Sequence, residues 1–255
     1  MTTTEIYSII LAILAAGAAG FVGAFALIKR TVLAGDVMSH IALPGLGAAL
    51  LFKINPLVGA AATLLLGIVI IARLEKKTGL SADVAIGVIF AASVALGALI
   101  TPREDLIDAL FGGFGGVNFS GFLAGLVLSI FVIAALLALK DKLIIALFSP
   151  ELAASLGLNL GRLNLYYLLI FGAAILLGLH FLGAILVGAL IIVPAAIGRR
   201  LTHNFAGFLA LSTLAAVAST FLGLALSARY GLQLGPAVIL SATALFVLSL
   251  LKKHT

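Results

Sequence analysis

The sequence predicts an all-α, polytopic transmembrane helix bundle of about nine helices (eight to nine), and three observations predict it. First, 64% of its 255 residues are hydrophobic and only 9% are charged, where a soluble domain is about half apolar and a quarter charged. Second, the chain is a succession of apolar runs, several of them long enough to cross a hydrocarbon core of about 30 Å. Third, the basic residues fall in short clusters between those runs rather than along one face, the pattern of membrane topology and not of a phosphate-binding surface. The alternating pattern of a membrane β-barrel is absent, so the backbone inside lipid must satisfy its hydrogen bonds as helix. The absence of cysteine excludes disulfides, thiolate metal sites and cysteine nucleophiles.

The runs lie at 6–28, 31–52, 56–72, 83–100, 119–139, 163–179, 181–197, 205–226 and 235–251. The first is too long for a signal-peptide core and has no basic leader, so it reads as a retained helix. Gly17, Gly20 and Gly23 stand in it among alanines. Such small side chains let helix backbones approach closely in lipid, which predicts a place deep in the bundle. The second run carries the polar residues considered below. Between the fourth and fifth lies Phe111-Gly-Gly-Phe-Gly-Gly116, either a short re-entrant cap or a plain loop. The sixth and seventh runs are divided near residue 180, the least distinct of the boundaries. No long linker interrupts the series, which predicts one transmembrane domain over 1–255.

The split near 180 is supported by charge. With the loop at 29–30 placed on the cytoplasmic side and the helices alternating, that side receives Lys29, Arg30, Arg73, Lys76, Lys77, Lys140, Lys142, Arg162, Arg199, Arg200, Lys252 and Lys253. The outer side receives Lys53, Arg103 and Arg229, and twelve plus three accounts for all 15 basic residues. The asymmetry follows the positive-inside rule. It predicts an odd number of crossings, with the N-terminus outside and the C-terminus cytoplasmic.

Eight of the nine acidic residues fall in loops or near helix ends, and Asp36 is the exception. At about 1.5 Å per residue from Arg30, Asp36 would lie roughly 9 Å deep and His40 roughly 15 Å deep, near the midplane. An ionisable group there is costly and marks a pathway or a partner. The two are spaced i, i+4 and share a helical face. Pro44 has no N–H to give the carbonyl of His40, which frees that oxygen, and Gly45 and Gly47 loosen the same turn. Broken helices at the midplane are where transporters bind substrate. Carboxylate and neutral imidazole suit Zn²⁺, Mn²⁺ or Fe²⁺. Two ligands are too few for a tight site, and a two-fold homodimer would supply four. The alternative is an Asp–His hydrogen bond that only joins helices.

The stretch from Ser149 to Asn159 reads as a short amphipathic helix, with Ser149 as N-cap, Pro150 at the first helical position and Gly157 at its end. It is too short to span the bilayer. It is either an interfacial connection or a docking knob for a cytosolic partner, formed by Pro150, Glu151, Leu152, Ala153, Ser155, Leu156 and Gly157.

These stretches resemble one family. Gly35-Asp-Val-Met-Ser-His-Ile-Ala-Leu-Pro-Gly45 is similar to the "GDALSHAALPG" signature of the membrane permeases of ATP-binding-cassette importers for zinc, manganese and iron. Ser149-Pro-Glu-Leu-Ala-Ala-Ser-Leu-Gly157 resembles that family's "DPELARALG" segment, which docks into the ATPase. Asp83 to Phe90, Ala95-Leu-Gly97 and Leu110-Phe-Gly112 resemble its middle, Gly183 to Ala196 its "VGxLLVxALLIIPAA" helix, and Gly235-Pro236 the "sGP" before its last helix. The match runs in order over nearly the whole chain. The resemblance implies a homodimeric pore in the prokaryotic plasma membrane, a separate cytosolic ATP-binding subunit, an extracytoplasmic metal-binding protein, and Asp36 and His40 on the metal path. The chain itself would bind no cofactor, the divalent ion being cargo. It departs from the pattern at Ser149, where Asp is usual, at His180, where Gln is common, and at Ile197-Gly198, in place of "TA". His180 is either a receiver of metal at the outer face or a surface histidine.

An ATP-independent secondary transporter or channel would need no docking helix. H-E-x-x-H and a second membrane aspartate are absent, which argues against an intramembrane protease, and the chain lacks the G-x-x-x-x-G-K-[ST] loop needed to hydrolyse ATP itself. The chain is therefore expected to be no enzyme. Val193-Pro-Ala-Ala196 leans toward zinc, whereas Leu43-Pro-Gly45 is also at home among manganese permeases.

Overall fold

The computed structural model describes residues 3–79, 82–101 and 117–251. Among these, every regular element is an α-helix: α1 (Thr3–Ile28), α2 (Ala34–Ile41), α3 (Leu43–Leu51), α4 (Pro56–Thr78), α5 (Ala82–Ile100), α6 (Phe119–Phe148), α7 (Pro150–Ser155), α8 (Leu160–Leu182), α9 (Ala184–Leu201), α10 (Phe205–Tyr230) and α11 (Leu234–Leu250). Counting α2 and α3 as one interrupted segment, seven are long and apolar enough to cross a membrane, while Val84–Ile100 and Leu234–Leu250 are shorter apolar helices. All nine expected runs are thus helical. The glycine-rich loop at 111–116, the Leu110-Phe-Gly112 motif, Arg103, Lys252 and Lys253 lie outside the described residues.

Several helices run past the expected boundaries. Hydropathy marks where lipid contact ends, whereas a helix ends where its backbone finds a cap. Thus α6 continues through Lys140, Asp141 and Lys142 to Phe148, and α4 continues through Arg73 and Glu75 until Gly79, at φ +68°, turns the chain. Four starts are set by asparagine side chains that accept from the first-turn amides: Asn55 from Leu57, Asn118 from Gly121, Asn159 from Arg162 and Asn204 from Gly207.

The first helix is central, as its small residues predict. It is buried almost continuously from Leu11 to Ala26 and packs on α6, α8, α9 and α10. The division near 180 is real and falls at Gly183, whose φ of 86° and ψ of 162° only glycine adopts readily. A straight helix would hold residues 178 and 187 about 13.5 Å apart. Here a Cβ on Gly178 would collide with Val187, so the chain folds back at this single residue and α9 lies against α8.

Aromatic and basic residues gather at particular places on the bundle. Tyr7 of α1 stacks on Phe122 of α6 at one end. At the other, Arg30, Arg199 and His203 line a common cavity of about 710 Å³. Lys29 and Pro150 share a smaller one of about 170 Å³.

Candidate metal path and docking helix

The second segment breaks at Ala42, which ends α2 and starts α3. Pro44 sits in the first turn of α3, where its missing N–H costs nothing. The carbonyl of His40 is not free, as the sequence suggests, because the N–H of Ala42 turns onto it. The Ala42 oxygen keeps its helical bond from Leu46 N at 3.1 Å, and Thr63 Oγ1 stands 3.3 Å from it while also within reach of the Gly59 and Ala60 carbonyls of α4, at 3.2 and 3.3 Å. Thr63 reaches it because Gly45 lies directly against Gly59 and Thr63 on α4, where no Cβ would fit. The break is therefore braced from α4.

Asp36 and His40 stand at opposite ends of the eight-residue α2, in its first and last turns. The chain from Lys29 to Leu33 forms turns rather than helix, so Asp36 opens a helix instead of sitting inside one. A carboxylate is favoured at the N-terminal end of the helix dipole and a cation at the C-terminal end, where His40 sits. His40 Nε2 lies 4.0 Å from Asp36 Oδ1, with the two side chains 19% and 45% exposed respectively. That separation is too long for a hydrogen bond, so the joining role weighed from sequence is not formed. Two ligands on a tetrahedral Zn²⁺ with bonds of about 2.0–2.2 Å stand about 3.4 Å apart, so the pair would close by about half an ångström to share one ion.

The pair is walled by two helices. The His40 ring meets Phe90 of α5 edge-on, with centroids 5.6 Å apart and planes at 71°. Gly188 of α9 sits against Asp36, and a Cβ there would lie 2.6 Å from Oδ1. Beneath them Ser39 is fully buried and donates to the carbonyl of Asp36 at 2.6 Å. Among the described residues no third His, Asp or Glu joins the pair. The pair by itself supplies two ligands, fewer than the four of a tetrahedral shell. The side chain of His180 lies outside the described residues.

The docking element is shorter than expected. α7 covers Pro150–Ser155 only, with Ser149 Oγ accepting from Leu152 N at 3.3 Å. Serine thus keeps the cap that aspartate would give, without its charge. Gly157, at φ +73°, closes the turn, and Leu158 N bonds Ala153 O at 2.9 Å. The rest of the expected 149–159 helix is this turn and the cap of α8. Ala153 is fully buried. Glu151, Leu152, Ser155, Leu156 and Gly157 are exposed, with Leu152 at 50% and Leu156 at 58%. Leu152 and Leu156 thus stand exposed on a capped turn between two apolar spans.

Sequence reasoning missed the residues around Lys29. Its Nζ donates to Asn164 Oδ1 at 2.9 Å and lies 4.2 Å from the centroid of the Tyr167 ring. On the same turn Thr31 Oγ1 is 3.5 Å from Tyr167 OH. Burial pushes the Lys29 ammonium below the usual lysine pKa, and the Glu75 carboxylate acts the other way. In the sequence Lys29 is only one of a basic pair, and the amphipathic partners Asn164 and Tyr167 carry no spacing signal.

The sequence profile of the ABC 3 transport family matches residues 2–253. The chain is 29% identical over 237 residues to the high-affinity zinc uptake system membrane protein ZnuB of Haemophilus influenzae, covering 91% of each. It is 29% identical over 236 residues to the manganese transport system membrane protein MntC of Listeria monocytogenes, covering 91% of this chain and 84% of that one. A solved structure, PsaBC from Streptococcus pneumoniae in complex with Fab, shares the fold with a TM-score of 0.85. It has 23% identity, and the match covers 98% of this chain and 91% of that one.

Proposed function

Because the chain belongs to the ABC 3 transport family, a family of multi-pass membrane permeases, we propose that it is the permease subunit of an ATP-driven importer for a divalent transition metal ion. Zinc is the favoured cargo, ahead of manganese and iron. The observation that carries the reading is the Asp36–His40 pair, a half-exposed carboxylate and an imidazole 4.0 Å apart at an interrupted membrane segment. Relatives named for zinc and for manganese support the class of ion.

In this reading two copies of the chain meet so that both pairs face one path, giving two carboxylates and two imidazoles. Such a shell is modest in affinity, as release requires. A metal-binding protein delivers the ion at the outer end. A cytosolic ATPase covers Leu152 and Leu156 of α7, and its closure switches the side to which the path opens. Energy comes from that subunit, since this chain has no phosphate-binding loop.

The test is uptake of Zn²⁺, Mn²⁺ and Fe²⁺, offered in competition to vesicles holding the chain with its ATPase and binding protein. One ion should enter in an ATP-dependent manner. Asp36→Ala and His40→Ala should each abolish entry while the complex still assembles. Normal uptake by both variants would remove the site, and uptake that persists without the ATPase would make the protein a secondary transporter or channel.

A further inference from the structure

Lys29 is more than a topological charge. Its neighbour Arg30 is exposed and meets that need alone, whereas Lys29 is drawn into the protein between α1 and α8. Burying a cation is costly and seldom stabilises a fold better than an apolar residue would.

Its contacts join two regions that the transport reading needs to communicate. On one side is the start of α8, where Asn164 is the acceptor. That helix begins from the Asn159 cap, immediately after the turn that closes α7. On the other side is the 29–33 turn leading into α2 and Asp36. A second line of contact runs parallel. Tyr167, 1% exposed, receives Lys29 on its ring and stacks on Phe171, with centroids 5.6 Å apart and planes at 17°. Phe171 Cζ lies 3.3 Å from where a Cβ of Gly35 would stand, one residue before Asp36. The cavity of about 170 Å³ between Lys29, Asn164, Leu147 and Pro150 leaves α7 room to shift toward this contact. Packed side chains linked by hydrogen bonds are the physical means by which such displacements travel.

We propose that Lys29 is a positioning residue that ties the mount of the docking helix, through Asn164 and Tyr167, to the half-helix bearing Asp36 and His40, so that movement at α7 reaches the metal pair. The inference rests on the transport reading above. Removing Lys29 alters neither α7 nor the metal ligands and breaks the link to Asn164, while the packing of Tyr167 on Phe171 and Gly35 remains.

The experiment uses the full complex in liposomes, with Lys29→Met and Asn164→Ala. It measures ions taken up per ATP hydrolysed, ATPase co-purification and Tm. In both variants the ATPase should stay bound, and the transport ratio should fall by roughly tenfold, the scale of one lost charged hydrogen bond. For Lys29→Met, Tm should change little, because the half-buried ammonium gives up its bond to Asn164 together with its desolvation cost. A wild-type ratio in both variants overturns the inference, as does a ratio that falls only in step with Tm. A wild-type complex that moves no metal overturns the transport reading itself, and this inference with it.

Discussion

At Asp36 the start of a helix favours the ionised form of the carboxylate. The residue lies in the first turn of α2, where the helix dipole favours negative charge by about 0.3–1 kcal/mol, although the amides of Ala34, Gly35 and Val37 already bond the carbonyls of Thr31, Val32 and Leu33. His40 lies where the same helix presents its carbonyl end. The absence of a side chain at Gly188 leaves the carboxylate its position, and Gly188→Val should displace Oδ1. Metal uptake should then be lost while the protein level in the membrane is kept, as read by isotope uptake against immunoblot. The pair itself was legible in the sequence, because a membrane aspartate with a histidine four residues on is rare enough to stand out. The state of the His40 carbonyl was not. Proline shows which amide is missing, but not that Ala42 would turn its own N–H inward.

Among the helices, hydropathy located all nine runs and misplaced many of their ends, since charges such as Lys140 and Lys142 leave the lipid without leaving the helix. The α8–α9 turn was foreseen only as a count needed to balance basic residues, and the structure supplies its mechanism in Gly183. Gly183→Ala should cost about 1–3 kcal/mol, the strain of holding a side chain in that region of backbone space, seen as a lower Tm in detergent. At α7 the serine cap is worth about 1 kcal/mol, so Ser149→Ala should speed amide exchange in residues 150–156 and leave the rest of the bundle unchanged. Changing Glu151 and Leu152 together should reduce ATPase recovery on pull-down with the fold intact. The Lys29 contact was illegible because its partners are 135 and more residues away, and nothing local marks a lysine that turns inward.

Across the molecule, the proposed pairing of two copies predicts which apolar flank is covered. α5 packs on α2 yet exposes Val88 at 57% and Leu99 at 83%, beside a pair that no third His, Asp or Glu joins among the described residues. The chain has no cysteine, so a single introduced thiol reports its contacts without background. Val88→Cys should form a disulfide between copies in native membranes on mild oxidation. Leu240→Cys on α11, which packs on α9 and α10, should remain monomeric on a non-reducing gel. Equal cross-linking at both positions would argue against a two-fold contact near the metal pair. The close approach of α9 to Asp36 also limits anyone who sets out to retune the ion preference. A ligand added at position 188 would displace the carboxylate it is meant to assist, because its Cβ would lie 2.6 Å from Oδ1. Designed selectivity has to enter from α5, where Phe90 faces the imidazole and a larger or smaller neighbour can be tried.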